Sequence, residues 1–506
     1  MLHSKPNIIF LMTDQQRWDC IGRFNKHIKT PTLDRLAEQG IVFNQAVCQA
    51  PMCVPSRSSM MFGLYPSQLG VRTNHGGLYD ESNLPSLPLA EVLRREGYQT
   101  AGFGKTHWNH NLHNPNAPTR GFEVRAIGLG RNSGHDEVNA LMMDDDDPEG
   151  LKAYYEETRH FGAGEENTHG YIGCTSSVPA HQHRDGWVAE QCKQFIENGV
   201  DPSKPLFLYL SFLKPHAGFN VPKEFEDWYR LEDIPDIEQP PWEEELGTHL
   251  EDRGDGLGSD GGNSYRDKRE IWELMSVMER RRTTLRYWAN CSWLDHYFGQ
   301  VLEGLEAKGI LTNAFIVFVS DHGEMMGERN FRFSKYCLFD SSVRVPLILA
   351  GNWIPEAKRG TIDERPAELV DIVPTLEKAA GAVTNPLLPG LDLLGEEQRI
   401  GTFCEFHRKT ESGLFAAPSV MWRKQDWKLI IHLPGTLKDA VSRIQELKGE
   451  LYHLSEDPHE WHNLYEDARW FAIRERMTSE LLMHLVCSWT RGPFFYDNQG
   501  LKALGE

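Results

Sequence analysis

The sequence has no long hydrophobic segment and no closely paired cysteines. No run approaches the roughly 18 apolar residues that a membrane-spanning helix requires, and the nine cysteines are scattered without a CxxC pair. Such cysteine usage is typical of a reducing compartment rather than of a disulfide framework. The N-terminal segment lacks the small-residue cleavage site of a secretory signal. We therefore expect a cytoplasmic protein, or a periplasmic or secreted one if a leader preceded this sequence.

Basic residues are fewer than acidic ones, 53 against 73, so the 506 residues carry a formal net charge of −20. A protein that binds nucleic acid or an anionic membrane needs extended basic patches. We therefore expect neither kind of partner. A small anionic substrate is still compatible with this charge, because a few local cations and a metal ion can invert the field inside a cleft.

Five short apolar runs are typical of buried strands: Asn7–Thr13, Gln99–Gly104, Leu206–Phe212, Ala314–Ser320 and Val345–Ala350. Segments with helical periodicity separate them. Strands that alternate with helices predict an α/β fold, with a large and mostly parallel central sheet flanked by helices.

Capping residues predict the bounds of several of these helices. We expect Thr32 to cap a helix that ends at Gly40, and Ser86 to cap one that ends at Gly97. A third helix repeats apolar residues between Leu294 and Leu305.

We expect two units: a catalytic α/β domain over 1–395 and a smaller C-terminal α+β subdomain over 396–506. Two insertions, about 109–200 and 217–280, interrupt the first. The first insertion holds Asp144–Asp147, and we interpret the region from there to Cys174 as surface loops. Within the second, the acidic segment from Pro222 to Ser264 is predicted to be a mobile loop or lid. Its aspartates lack the spacing of a calcium-binding loop.

Polar side chains follow four of the predicted strands. They are Asp14-Gln15, Lys105-Thr106-His107, Lys214-Pro215-His216 and Asp321-His322-Gly323. Ligands bind beyond the carboxyl ends of strands in open α/β sheets, so we expect these groups to share one crevice. Asp14, Gln15, Asp321 and His322 offer carboxylate, amide and imidazole ligands, which predict a divalent metal site.

The stretch CVPSR (Cys53 to Arg57) begins a predicted helix. Pro55 suits a first helical turn, and the exposed N–H groups there favour an anion. A thiolate nucleophile is one interpretation. Because a thiolate matches an oxygen-rich metal shell poorly, the alternatives are Ser56, a metal-activated water or a modified Cys53.

These residues resemble the formylglycine-dependent sulfatases of the alkaline phosphatase superfamily. Residues 53–57 match the family's C-x-P-S-R motif, and GYQTAGFGKTHW (Gly97 to Trp108) matches its second motif. The resemblance extends to NIIFLMTDQQ, TPTLDRLAEQGIVF, SDHGEMMGER, VDIVPTLEKAAG and ELYHLSEDPHEWHNL. It covers nearly the whole chain outside the two insertions.

The resemblance implies that a formylglycine-generating enzyme oxidises Cys53 to formylglycine. Its hydrate would bind the metal and attack sulfur, and the sulfated intermediate would then collapse when a base deprotonates the second hydroxyl. Carried over by position, the implied metal ligands are Asp14, Gln15, Cys53, Asp321 and His322. The implied catalytic residues are Cys53, as the source of the nucleophile, and Arg57 with Lys105, which stabilise the charge of the diol and its alkoxide. His107 is the implied base, and His216 and Lys335 would bind the sulfate and protonate or stabilise the leaving oxygen.

Three positions depart from the family pattern. Gln15 stands where many members have aspartate, and His322 where many have asparagine. This pair resembles the metal set of phosphonate monoester hydrolases, and the Asp-Gln start also resembles choline sulfatases. Phe62 replaces the usual threonine of the first motif. Calcium is the ion that the resemblance implies, with manganese or zinc as alternatives.

We therefore expect a sulfuric ester hydrolase that acts on a small-molecule or saccharide sulfate, with Asn74, Lys105, His216 and Lys335 binding the substrate. The alternatives are a phosphonate monoester or phosphodiester hydrolase, a choline-sulfatase-like enzyme, and a non-catalytic binder of sulfated ligands. The oligomeric state stays open. The tryptophans that could stack on a sugar or aryl group are Trp228, Trp242, Trp288 and Trp293, with core packing as the alternative.

Overall fold

The structure is a computed structural model that describes residues 5–74, 84–107, 120–130, 140–159, 173–242, 275–329, 333–407, 419–433 and 448–489. Within these ranges the strands are β1 (Asn7–Thr13), β2 (Ile41–Phe43), β3 (Ala46–Val47), β4 (Gln99–Gly104), β5 (Val124–Ile127), β6 (Leu141–Met142), β7 (Thr175–Ser176), β8 (Leu206–Ser211), β9 (Val221–Pro222), β10 (Ala314–Ser320), β11 (Leu347–Ala350), β12 (Thr361–Asp363), β13 (Ala367–Glu368), β14 (Thr402–Phe406), β15 (Ser419–Lys424), β16 (Trp427–His432) and β17 (Lys448–His453).

The helices of the same ranges are α1 (Pro31–Gln39), α2 (Cys53–Phe62), α3 (Pro66–Leu69), α4 (Leu89–Arg95), α5 (Met143–Asp146), α6 (Pro148–Arg159), α7 (Arg184–Asn198), α8 (Lys223–Glu226), α9 (Val277–Ala307), α10 (Asp340–Val343), α11 (Ile372–Ala380) and α12 (Phe471–Trp489). Among them, none combines the length and the apolar character needed to cross a bilayer.

The described residues contain a nine-stranded sheet in the order β12-β2-β11-β10-β1-β8-β4-β5-β6. The central pairs β10–β1, β1–β8 and β8–β4 are parallel, and β11 runs antiparallel to both of its neighbours. The predicted mostly parallel α/β sheet is therefore confirmed. The strand predicted from Val345 begins two residues later, because Pro346 has no N–H to donate to the ladder.

Strand β1 shows how the sheet is covered on both faces. Successive side chains of a strand point to opposite faces. Ile9 and Leu11 pack in one core cluster with α1, α7 and α9, whereas Ile8 and Phe10 pack in the other with α2, α4 and α11. A strand buried on both sides must be apolar throughout, which explains its continuous hydrophobic sequence.

Two predicted helix caps are wrong. Helix α1 begins at Pro31, and the Asp295 carboxylate of α9 accepts hydrogen bonds from Thr32 N at 3.0 Å and Leu33 N at 2.7 Å. Helix α4 begins only after Pro88, while the Ser86 hydroxyl donates to Phe62 O at 2.6 Å. A proline disfavours helical backbone in the residue before it, so this helix cannot begin earlier.

The two polar insertions are more ordered than predicted. Asp144–Asp147 lie in and beside α5, and α6 follows, so the prediction of surface loops is wrong for most of residues 144–159. Residues 160–172 of that predicted loop region lie outside the described residues. From Pro222 the chain packs on α9, where Tyr229 Oη and Ser292 Oγ are 2.6 Å apart. The described part up to residue 242 is therefore packed structure and not a mobile loop. The aspartate-rich end of that segment lies outside the described residues.

The C-terminal unit is a four-stranded antiparallel sheet, β14-β15-β16-β17, with α12 packed against it. This agrees with the predicted smaller subdomain. The Lys428 ammonium on β16 lies between the carboxylates of Asp340 and Glu460, the latter at 2.6 Å. Buried charge pairs therefore join this sheet to the catalytic domain, and the boundary at residue 395 stays a prediction.

Gly104, at the end of β4, offers a test of how closely two strands approach. Its φ is +83°, and a Cβ there would lie 1.9 Å from Ser211 O of β8. We expect Gly104→Ala to be strongly destabilising, beyond the ~1–2 kcal/mol of left-handed strain alone, and to displace Lys105. Urea unfolding measures this difference in free energy.

Gly97→Ala is the matched control, because φ is +88° there and no atom lies within 4 Å of the added Cβ. This variant has the strain without the clash. Equal losses of unfolding free energy in the two variants would contradict the assignment of the larger cost to the β4–β8 approach.

Candidate active site

The four central strands bring their following side chains to one edge of the sheet. Strands β10, β1, β8 and β4 are parallel neighbours, so their carboxyl ends lie side by side. Asp321, Asp14, His216 and Lys105 follow these strands in that order. The predicted convergence is visible in direct contacts, since Lys105 Nζ lies 2.5 Å from Asp14 Oδ2.

Cys53 is the first residue of α2, and its side chain is buried. Its Sγ lies 3.0 Å from Lys335 Nζ, 3.3 Å from His322 Nε2 and 3.7 Å from Asp14 Oδ1. Burial and the Asp14 charge raise the pKa of the thiol, but the Lys105 and Lys335 ammonium groups outweigh them. The pKa therefore lies below its usual value, and the site favours negative charge at this atom.

A metal could be held by the side chains of Asp14, Cys53, Asp321 and His322. Their ligand atoms all lie within 4.8 Å of one another, and all four residues are buried. His322 Nδ1 is 2.9 Å from Gly323 O, so the proton belongs on Nδ1 and the Nε2 lone pair faces the cluster. Burial also lowers the pKa of His322, which keeps the imidazole neutral. This donor set fits a divalent ion.

Gln15, also predicted as a ligand, lies beside this cluster in a left-handed backbone conformation with φ of 70°. Its amide oxygen accepts a hydrogen bond from Lys335 Nζ at 2.9 Å, and its amide nitrogen donates to Glu324 Oε2. The contacts link Gln15 to Lys335, and the role of Gln15 as a metal ligand stays a prediction.

Arg57 lies one helical turn after Cys53, on the same face of α2. Its Nε donates to Asp321 Oδ2 at 2.6 Å and its Nη2 to Asp14 Oδ2 at 3.0 Å, and all three side chains are fully buried. Burial raises the pKa of Asp14, but the Lys105 and Arg57 charges hold it well below its usual value. Asp14 is therefore ionised, and the Arg57 guanidinium orients both carboxylates before any ligand binds.

His107 and His216 lie at the same edge. His107 is half-buried and has a left-handed φ of 52°. His216 is also half-buried; its charge contributes to lowering the pKa of Asp14, and its hydrogen bond contributes to lowering the pKa of Cys53. Their positions agree with the predicted site, and their roles as base and leaving-group partner stay predictions.

Several predicted features lie elsewhere or are used differently. Asn74 Oδ1 accepts from Val54 N at 3.1 Å, so it caps the start of α2. The Ser56 hydroxyl donates its proton to Asp321 O at 2.5 Å, and this hydrogen bond argues against Ser56 as the nucleophile. Lys214 turns away to Asn220 Oδ1, at 2.5 Å, and burial lowers its pKa to about 8. Trp288 and Trp293 are buried in the core.

Two residues of the site escaped prediction from the sequence. Ser211 Oγ accepts from Arg57 Nη1 at 2.9 Å, and Glu324 is fully buried beside Gln15. Ser211 is the next-to-last residue of the predicted strand Leu206–Phe212, and Glu324 follows the Asp-His-Gly stretch directly. A survey of every polar residue at the strand ends would have found both.

Comparisons with known proteins agree with this geometry. The Sulfatase family model matches residues 6–382. An arylsulfatase of Clostridium perfringens (strain 13 / Type A) is 29% identical over 401 residues, which are 77% of this chain and 78% of that protein. A choline-sulfatase of Rhizobium meliloti (strain 1021) is 27% identical over 496 residues, which are 93% of this chain and 84% of that protein.

Solved structures share the fold. The phosphonate monoester hydrolase of Agrobacterium radiobacter superposes with a TM-score of 0.72 at 21% identity, covering 96% of each chain. A 2-O GAG sulfatase superposes with a TM-score of 0.69 at 20% identity, covering 96% of this chain and 93% of that one. At these identities the likeness concerns the fold alone.

The family model covers the strands that carry Asp14, Lys105, His216 and Asp321, as well as the helix that begins at Cys53. The resemblance inferred from the motifs is thereby confirmed. The chain belongs to the sulfatase family of the alkaline phosphatase superfamily.

Proposed function

We propose that the protein hydrolyses organic sulfate monoesters with a nucleophile made from Cys53. One observation carries this proposal: the Cys53 side chain lies within the buried Asp14, Asp321 and His322 cluster and 3.0 Å from the Lys335 ammonium. A side chain used only for packing has no need of two carboxylates, an imidazole and a cation around it. Conversion to formylglycine would replace the sulfur by an oxygen nucleophile that suits a hard cation.

Asp14, Cys53, Asp321 and His322 would hold the metal, with Gln15 as a further oxygen ligand, and calcium is the ion we propose. When bound, it supplies Lewis-acid stabilisation of negative charge. Arg57 and Lys105 orient Asp14, since both donate to its Oδ2. This leaves Asp14 Oδ1 directed at Cys53.

The remaining polar residues have roles that follow from their positions. Lys335 contacts the Cys53 side chain and would stabilise charge on the ester oxygens. His216 would protonate or bind the leaving oxygen, and His107 would remove the proton that starts release of sulfate. The exclusion of water strengthens the ion pairs of Arg57 with Asp14 and Asp321, because all three side chains are fully buried.

The substrate we propose is a small-molecule or saccharide sulfate ester. The 2-O GAG sulfatase among the structural neighbours supports a saccharide, and the arylsulfatase and choline-sulfatase relatives support small leaving groups. Maturation would require a formylglycine-generating enzyme. The non-catalytic alternative is disfavoured by the buried charges that converge on Cys53.

Phosphonate monoester hydrolysis is the second candidate. The fold superposes on the Agrobacterium enzyme, and the sequence pair Gln15 and His322 resembles the metal set of that group. Both chemistries use the same nucleophile. They differ in the group transferred, so a direct comparison of substrates separates them.

Cys53→Ala tests the nucleophile. We expect kcat to fall by about 10⁴-fold or more, since the covalent step is lost. The assay uses 4-nitrophenyl sulfate and protein co-expressed with a formylglycine-generating enzyme, with peptide mass spectrometry to measure conversion of residue 53. Cys192→Ala, on the buried face of α7, is the control for loss of a buried thiol. A Cys53→Ala protein with full turnover contradicts the proposal, and equal ligand binding without wild-type turnover favours the non-catalytic binder.

The transferred group is tested with one leaving group in two esters, 4-nitrophenyl sulfate and 4-nitrophenyl phenylphosphonate. We expect kcat/KM to favour the sulfate by about tenfold or more, which corresponds to ~1.4 kcal/mol of differential transition-state stabilisation. Catalysed rates are corrected for the uncatalysed reactivity of each ester. A preference for the phosphonate would replace the first candidate function by the second.

Metal removal provides a third test. After dialysis against EDTA we expect loss of activity and a lower Tm, because the buried Asp14 and Asp321 charges lose their cation and the bound ion no longer stabilises the folded state. Ca²⁺, Mn²⁺ and Zn²⁺ are then added back separately, and Ca²⁺ should restore both readouts. An Asp321→Asn protein is the control, and its Tm should respond less to Ca²⁺. Unchanged activity and Tm after EDTA would contradict the metal site.

A further inference from the structure

Glu324 is a buried carboxylate that the proposed reaction does not use. It lies two residues after His322, and none of its surface is exposed. Its Oε2 accepts a hydrogen bond from Gln15 Nε2. A buried carboxylate needs hydrogen-bond donors, and the Gln15 amide supplies one of them.

The Gln15 amide can adopt only one orientation between its two neighbours. A lysine ammonium has donors and no acceptor, whereas a carboxylate oxygen is an acceptor. The amide oxygen must therefore face Lys335 Nζ, at 2.9 Å, and the NH₂ group must face Glu324. Rotation of the amide by half a turn would break both hydrogen bonds at once.

The backbone of Gln15 is held independently of its side chain. Gln15 N donates to Asp321 Oδ1 at 3.0 Å, and Gln15 O accepts from the Tyr287 hydroxyl at 2.6 Å. These contacts keep the residue in its left-handed conformation. The orientation of the amide is then the remaining freedom of this residue, and Glu324 removes it.

We propose that Glu324 is a positioning residue, which holds Lys335 against Cys53 through the Gln15 amide. Lys335 Nζ lies 2.9 Å from Gln15 Oε1 and 3.0 Å from Cys53 Sγ, so one ammonium joins the amide to the nucleophile position. Glu324 also supplies a third buried carboxylate to a site with Asp14 and Asp321 facing Arg57, Lys105 and Lys335. The expected effect of Glu324 on catalysis rests on the proposed function, whereas its effect on the position of Lys335 rests on these contacts alone.

Glu324→Gln tests the proposal with little change of size. A glutamine offers both an oxygen and an NH₂ group, so it no longer selects one orientation of the Gln15 amide. We expect kcat/KM on 4-nitrophenyl sulfate to fall about 10- to 100-fold, the range for residues that orient groups in direct contact with the reaction centre. If the enzyme prefers the phosphonate, that ester is used instead. Glu328→Gln is the control, since this glutamate pairs with Arg17, and its kcat/KM should change by less than about twofold.

A double-mutant cycle with Lys335→Met separates positioning from general damage. If Glu324 acts through Lys335, Glu324→Gln in the Lys335→Met background should change kcat/KM by no more than about twofold, the scatter expected for uncoupled changes. A full loss in both backgrounds overturns the proposal. If Glu324→Gln does not fold, the cycle is run with Glu324→Asp, which keeps an acceptor-only side chain. A loss of kcat/KM that persists in the Lys335→Met background then also overturns the proposal.

The same four proteins are unfolded in urea, which requires no turnover. We expect the loss of unfolding free energy in the double variant to be smaller than the sum of the single losses, because both substitutions break one connected network. Additive losses overturn the positioning role even if the enzyme is a sulfatase. A coupled cycle in a protein that hydrolyses neither ester would instead refute the proposed function and keep the geometric inference.

Discussion

The site depends on the buried guanidinium of Arg57. It joins the carboxylates that follow two neighbouring strands, Asp14 after β1 and Asp321 after β10, and also donates to Lys105 O at 2.8 Å. Because Cys53 and Arg57 are four residues apart on α2, the same residue also fixes the start of this helix to the sheet. Loss of one partner from a buried pair of this kind typically costs about 3–5 kcal/mol, since the other charge is left uncompensated.

In this arrangement the two oxygens of each carboxylate have different partners. On Asp14, Oδ2 is occupied by Arg57 and Lys105, and Oδ1 faces Cys53. On Asp321, Oδ2 is held by Arg57, and Oδ1 accepts from the backbone N–H groups of Gln15 and His322 at 3.0 Å each. The carboxylates are therefore preorganised, and a cation entering the cluster would meet ligands that need not reorient. Preorganised charge of this kind is a large contribution to catalysis.

The parts of the fold that local physics dictates were predictable from the sequence. The bounds of Asn7–Thr13, Gln99–Gly104 and Ala314–Ser320 agree with β1, β4 and β10, because strands buried on both faces consist mainly of apolar residues. The start of α1 was missed, since its cap is Asp295, a residue remote in sequence. Asp144–Asp147 were misread as loop, although acidic residues are favourable in the first turn of a helix.

The candidate site was predictable as far as residue types and strand ends allow. Asp14, Lys105, His216 and Asp321 follow strands that are adjacent in the sheet, and that adjacency is a property of the topology. What could not be predicted is the direction of each side chain. Lys214 and His216 are close in sequence, yet the Lys214 ammonium turns to Asn220. The hydrogen bond between Glu324 and the Gln15 amide likewise depends on side-chain directions that the sequence does not show.

The C-terminal sheet contributes to the site without entering it. Lys335 reaches Cys53 from a segment that continues into α10 at Asp340. Asp340 is bound by Lys428 and Arg423 of the C-terminal sheet, and its backbone N–H donates to Glu460 at 2.6 Å. Burial raises the pKa of Asp340, but the Arg423 and Lys428 charges outweigh it and keep this carboxylate ionised. The segment that carries Lys335 is therefore held at Asp340 by the C-terminal sheet, and the Lys335 ammonium itself is held by Gln15. These two attachments restrict a flexible lysine side chain to a position beside Cys53.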